Sequence, residues 1–273
     1  MTLPFAEVIP TTLFHDTPFR WRVASRALSA DGWLQPDPAA LASDLAEKAR
    51  ILDGGLDAFV VTDGSEAACL EVRDLVADAI GQPLADLAGH PLEVAARRVH
   101  EDLVVMEKRD GAWMMTAGVV CFPTRWSPSD KIGRSMATIH DPVPRYGDIA
   151  AAVDRLFDRL QPGRIAWRPN WSVVGDSSLR LDVNDRQAPA AMPADPATQL
   201  HLRVERQTIR RLEATPDALV FTIRVHRWPL GEVLGEIDRA LAAELRALPS
   251  DVAVYKNLDE WRHDLASYLD GEG

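Results

Sequence analysis

The chain has 273 residues, 47% hydrophobic and 26% charged, with a mean hydropathy of -0.13, which is the balance of a folded globular chain and excludes a disordered or fibrous one. A net charge of -11 and a pI near 5.1 argue against a sequence-independent grip on nucleic acid, which depends on clustered Lys and Arg, and leave room only for a local basic patch. No apolar run reaches the ~18 residues of a membrane span, and Met1–Arg20 has no basic leader ahead of an apolar stretch, so a cytoplasmic protein is expected.

The first helix is expected from Asp37-Pro38, a capping residue followed by a proline at the first helical position. Leu41, Leu45, Ala49 and Leu52 recur at helical spacing until Gly54-Gly55. A second helix follows Ser65, carrying Cys69, Val72, Val76 and Ile80 on one stripe and ending at Gly81. Cys69 and Cys121 sit far apart in apolar surroundings and read as reduced core thiols. Two cysteines exclude a cysteine-ligated iron–sulfur cluster or a four-thiolate zinc within the chain.

Leu103–Glu107 and Trp113–Phe122 read as a hairpin turned at Arg109-Asp110-Gly111. A third helix covers Ile149 to Leu160, with Val153, Leu156 and Phe157 on one face and Pro162-Gly163 as its stop. Asp185–Thr198 is rich in Ala and Pro without a period and reads as an exposed loop. The strongest strands are His201–Leu212 and Ala218–Trp228, in which Leu219, Phe221, Ile223 and Val225 alternate, predicting a sheet with one well-buried face. Two helices close the chain, one with Leu234, Ile237, Leu241 and Leu245, the other with Leu258, Trp261, Leu265 and Leu269. Two antiparallel hairpins among helices predict an α+β fold rather than a parallel doubly wound sheet.

Glycine fingerprints for dinucleotides or phosphates, H-E-x-x-H and G-x-S-x-G are all absent, so nicotinamide, flavin, zinc-protease and serine-hydrolase chemistry lose their usual anchors. The most distinctive stretch runs from Cys121 to Pro144. Its prolines at 123, 128, 142 and 144 stiffen an irregular segment leaving a strand, and Pro142 and Pro144 restrict Asp141 and Val143 to extended geometry just after His140. Such a segment can hold one imidazole rigidly.

Three blocks in order carry a family resemblance: Phe122-Pro-Thr-Arg-Trp126 with Lys131-Ile-Gly-Arg134 and Ile139-His-Asp-Pro-Val-Pro144; then Arg168-Pro-Asn-Trp171; then Arg203-Val-Glu-Arg-Gln-Thr208 with Val220-Phe-Thr-Ile-Arg224. Together with Tyr255-Lys256 they resemble the haem-dependent oxidative N-demethylase α-subunit family over nearly the whole chain. The resemblance implies a PAS-like antiparallel sheet flanked by helices, a single haem-binding domain over residues 1–273 with an N-terminal helical extension and C-terminal helices. It also implies haem b (iron) as cofactor, O2 and a small secondary amine resembling dimethylamine as substrates, and a separate reductase or electron-transfer subunit as partner. A haem-binding sensor or carrier without turnover, or a member that has lost haem, would share the fold.

His140 is the expected haem ligand, against the plain reading of a histidine that hydrogen-bonds its loop. His201 and His226 come next, and His15, His90, His100 and His263 read as solvated. Lys131 and Arg134 either reach propionates or are solvated. Glu205 and Arg206 are adjacent on a strand and point to opposite faces, so one charge turns toward the covered face. Arg206 then meets a haem propionate or substrate, or pairs with a carboxylate elsewhere; Glu205 is the candidate for a cationic amine. Trp126, Trp167 and Trp171 either line a pocket or pack as core, Asn170 holds a ligand or caps a turn, and Arg224 completes the cofactor-binding set.

Overall fold

The computed structural model describes residues 4–5, 13–14, 23, 25–183 and 191–271. In chain order its main elements are β1 (Arg26–Leu28), α1 (Leu41–Asp53), β2 (Phe59–Val61), α2 (Glu66–Ile80), α3 (Pro91–Ala96), β3 (Asp102–Arg109), β4 (Ala112–Val119), α4 (Met136–Ile139), α5 (Ala150–Arg159) and β5 (Ile165–Val174). They continue with α6 (Pro196–Gln199), β6 (His201–Arg211), β7 (Ala218–Pro229), α7 (Leu230–Val233), α8 (Asp238–Ala247), α9 (Ser250–Tyr255) and α10 (Arg262–Leu269). All strands join one seven-stranded antiparallel sheet in the order β1-β5-β6-β7-β3-β4-β2. The fold is α+β. No helix among the described residues is long and apolar enough to cross a membrane.

Local chemistry explains the elements the sequence announces. Asp110 and Gly111 adopt φ 51° and 82° between the paired Arg109 and Ala112, the left-handed pair whose twist matches the strands of a two-residue hairpin. Gly81 ends α2 at φ 66°, a conformation glycine adopts without a Cβ penalty. Loop 213–217, joining β6 to β7, turns three amides toward α2, where the Glu71 carboxylate accepts from Glu213, Ala214 and Thr215 at 2.6, 2.9 and 2.8 Å.

Four expectations change. Strand β5 is not apparent from the sequence because it contains Pro169, which removes a ladder donor; here β1 pairs only as far as Trp167, so beyond it that side of β5 is open and tolerates a proline. Asp37 accepts from Ala39, Ala40 and Leu41 in a turn, and α1 starts only at Leu41. Its buried stripe is Asp44, Lys48 and Ile51 rather than the leucines. Of the loop expected at Asp185–Thr198, residues 185–190 lie outside the described residues, while Pro196–Gln199 forms a helical turn. At the C-terminus α9 intervenes between the two expected helices, and Leu234, Ile237, Leu258 and Trp261 precede rather than join α8 and α10.

Apolar clusters lie on both faces of the sheet. One packs Leu103, Val105 and Val220 against α1, α2 and α3; another packs Val104, Met106 and Leu219 against Tyr146 and Phe157. A third joins Trp171, Leu202, Val204 and Trp228 to α8 and α10. The expected sheet with one buried face is therefore a sheet covered on both, and both Glu205 and Arg206 are buried. Cys69 and Cys121 are buried free thiols, and burial pushes both up to about 12, as inert core cysteines require.

Candidate functional site

The segment after β4 is held by side chains remote in sequence. The Asp102 carboxylate accepts from the amides of Cys121 and Phe122 at 2.9 and 2.8 Å and faces the ammonium of Lys48 at 3.6 Å, both side chains being inaccessible. Arg203, 1% exposed, donates to the carbonyls of Phe122, Ser178 and Leu179 at 3.0, 3.2 and 2.8 Å, and its Nε donates to the Thr124 hydroxyl at 2.9 Å. Asp57 accepts from the hydroxyls of Ser127 and Ser129. Lys131 lies over the Trp126 ring and donates to the carbonyl of Ile139 at 2.8 Å. The loop is irregular but fixed.

At its end His140 caps α4. Its Nδ1 lies 2.9 Å from the carbonyl of Met136; a carbonyl only accepts, so Nδ1 carries the proton and Nε2 keeps its lone pair. The ring stacks on Tyr146 with centroids 4.4 Å apart and planes 11° from parallel. Burial lowers the imidazole to about 4, so it is neutral at pH 7. Burial also pushes the Tyr146 phenol up to about 12, and its hydroxyl is buried without a partner among the described residues.

The sheet supplies the floor. Asn170 pairs with Glu205 and Arg168 with Gln207 across β5 and β6, so these four side chains share one face. The Glu205 carboxylate accepts from Thr124 at 2.5 Å, Gln207 at 2.8 Å and Asn170 at 3.3 Å. Arg168 makes no ion pair among the described residues, and its Nε is buried without a partner. Burial lowers its pKa, while Glu205 and Tyr146 pull the other way. Its charge in turn acts on His140.

Helix α9 forms the rim. Lys256, just beyond it, donates to the carbonyl of Trp171 at 2.5 Å, and burial lowers its ammonium to about 8. Tyr255 is 45% exposed, and burial of its phenol raises its pKa, the Glu205 charge acting in the same direction. Asp251 meets Arg145 at 2.8 Å, and the Asn257 amide oxygen, turned to satisfy both groups, accepts from Arg125 at 3.1 and 3.2 Å. Arg125, Arg145 and Asn257 have φ of 59°, 58° and 55°, left-handed conformations that cost non-glycine residues energy and concentrate at functional sites.

The structure brings together His140, Lys131, Trp126, Asn170 and Glu205 from the expected set. Arg134 lies on the same loop, exposed, its carbonyl accepting from the Met115 amide. Arg206 and Arg224 pair with each other on the face opposite Glu205. Arg206 donates to the carbonyls of Trp33 and Gly32 at 3.1 and 2.5 Å and stacks over Trp167, so among the described residues backbone carbonyls rather than a carboxylate receive its hydrogen bonds. Arg224 meets Asp44 at 2.9 Å. Trp171 packs in the C-terminal core.

Of the histidines read as solvated, His100 is 2% exposed and bonded to Asp44 at 2.7 Å, because charged residues of α1 face inward, while His15 lies outside the described residues. His226 is buried against Gln35, and His201 is half-buried. Arg168, Tyr146, Thr124 and Gln207 were not singled out from the sequence as site residues; only the β5–β6 register, with Arg168 opposite Gln207 and Asn170 opposite Glu205, puts Arg168 on the face of Glu205.

No three His, Cys, Asp or Glu side chains among the described residues converge as a metal cage. What the site offers a metal is one neutral imidazole with a fixed tautomer, beside a guanidinium that makes no ion pair among the described residues. This donor set fits a haem, which needs one axial nitrogen and cationic partners for its propionates. A family model described as haem-dependent oxidative N-demethylase, alpha subunit-like, matches residues 78–266, more than two-thirds of the chain.

Proposed function

The chain belongs to the haem-dependent oxidative N-demethylase, alpha subunit-like family, and on that premise we propose that it oxidatively demethylates a small secondary amine at a haem b held by His140. In this reading the sheet and its helices are a PAS-like haem-binding scaffold, and a separate cytoplasmic reductase supplies electrons. The observation that supports the proposal is the His140 tautomer: Nδ1–H is committed to Met136, so Nε2 keeps its lone pair.

When bound, the haem would supply the oxygen chemistry, in which amine, O2, two electrons and two protons give the demethylated amine, formaldehyde and water. The chain's own residues do the rest. Tyr146 fixes the plane of the His140 ring by stacking. Arg168, and Lys131 beside the loop, offer positive charge to carboxylates of the cofactor. Glu205 offers negative charge to a cationic amine, which an apolar recess would reject because a buried unpaired ammonium is costly. Its three donors orient the carboxylate toward that task.

Protein made with adequate haem is expected to show a Soret band that His140→Ala largely loses. Glu205→Gln is expected to keep the band and weaken the spectral response to dimethylamine. Formaldehyde release under chemical reduction separates turnover from a haem sensor or carrier; a Soret band without formaldehyde from any methylamine would leave only the latter.

A further inference from the structure

Beyond the end of β3, whose last pair with β7 is Asp102–Ile223, β7 continues alone on that side and meets the start of α1. There a cavity of about 100 Å³ is lined by Asp37, Ser43, Asp44, Arg224, Arg227 and neighbouring apolar atoms. Its lining includes Arg224, expected from the sequence to bind the cofactor, but none of the side chains to which the proposed function gives haem or amine. It holds roughly three waters' worth of space at about 30 Å³ each, so an occupant has few heavy atoms.

Its lining carries unspent hydrogen-bonding capacity of both kinds. Arg224, 3% exposed, uses Nη1 on Asp44 but leaves Nε buried and without a partner among the described residues. Arg227 makes no ion pair among them, although Asp44, Asp176 and Glu47 act on it at longer range. Asp37, 2% exposed, spends Oδ1 on the Ala39 amide while Oδ2 is buried and unpartnered. Ser43, at the exposed mouth, donates to the Ala40 carbonyl, leaving its oxygen able to accept. The lining of one small space thus carries donors on the two arginines and acceptors on Asp37 and Ser43. Unpartnered polar atoms at this depth are costly, and an occupant with a carboxylate at one end and an ammonium at the other satisfies both sets.

From this cavity and its two buried unpartnered groups we infer that the protein carries a second site, separate from the haem recess, for a small zwitterionic amino acid of about the size of glycine. The carboxylate sits on Arg224 and Arg227 and the ammonium on Asp37. Net charge in the lining balances, which favours a zwitterion over a bare anion or cation.

Calorimetric titration of the full chain with glycine, acetate and methylammonium tests this, with or without haem, and so is independent of the catalytic reading. Saturable glycine binding is expected, with each half-molecule at least about tenfold weaker, a loss of about 1.4 kcal/mol. Arg227→Gln and Asp37→Asn are each expected to weaken glycine about tenfold as well; Arg227→Gln alone decides the matter if loss of the Asp37 turn prevents folding. No saturable heat with millimolar glycine would mean a cavity holding water only, and acetate binding as tightly as glycine would mean an anion site. Either result overturns the inference.

Discussion

The two faces of β6 use the same kinds of residue to opposite ends. On the side of α1, Arg206 is spent on backbone carbonyls and Arg224 on Asp44, which also holds His100. On the recess side, Arg168 has no ion pair among the described residues, Tyr146 has an unpartnered hydroxyl, and His140 has an uncommitted ring nitrogen. Buried charge committed to an ion pair or to carbonyls holds a fold together, even where Arg224 keeps one nitrogen unpartnered among the described residues; buried charge with neither is held by the fold for something else.

The strongest way to break this contrast is Asp44→Ala. It strands Arg224 and His100 without their shared carboxylate, and a buried charge losing its partner costs about 3–5 kcal/mol. Urea unfolding measures it, and a loss below about 1 kcal/mol would mean that the α1 side is no more committed than the recess.

Acid sharpens the contrast next. His140 is buried neutral with its pKa lowered to about 4 from 6.5, so between these values the unfolded chain binds the proton first. Its contribution to stability is complete above pH 6.5 and is lost as pH falls toward 4, with a size on the order of a few kcal/mol. The haem-free protein is therefore expected to lose more stability between pH 7 and 4.5 than His140→Gln does. Equal losses in the two would contradict a buried neutral ring.

A matched pair comes third. Arg206→Met leaves two buried carbonyls without donors and is expected to cost about 1–3 kcal/mol. Arg168→Met removes a cation without an ion pair among the described residues, so unfolding should change by less than about 1 kcal/mol while haem affinity falls. Thermal melts with parallel haem titrations separate the two, and equal destabilisation would erase the distinction between the faces. The smallest effect belongs to Asp251→Asn. Its pair with Arg145 is about half exposed on both sides, so only a slight fall in melting temperature, shrinking further in high salt, is expected from melts at two ionic strengths.

The hairpins were legible because Asp110-Gly111 and the alternation through Ala218–Trp228 are local signals. The buried stripe of α1 was not, because Asp44 and Lys48 look like a solvated face until Arg224 and Asp102, far along the chain, are placed against them. Strand β5 was obscured by Pro169. In the site, His140 and Glu205 were readable from local stiffness and from the Glu-Arg step on a strand. Arg168 depended on strand register, which no single segment encodes.

Arg203 also sets a schedule. The loop leaving β4 is pinned by a guanidinium 81 residues further on, so during synthesis it must wait for β6 to emerge. At roughly 5–20 residues per second that delay is about 4–16 seconds. Until then Phe122, Ser178 and Leu179 have no common donor. The recess is thus among the last parts of the nascent chain to take shape, and a truncation before Arg203 would leave a ribosome-bound fragment with the β3–β4 hairpin but without the recess.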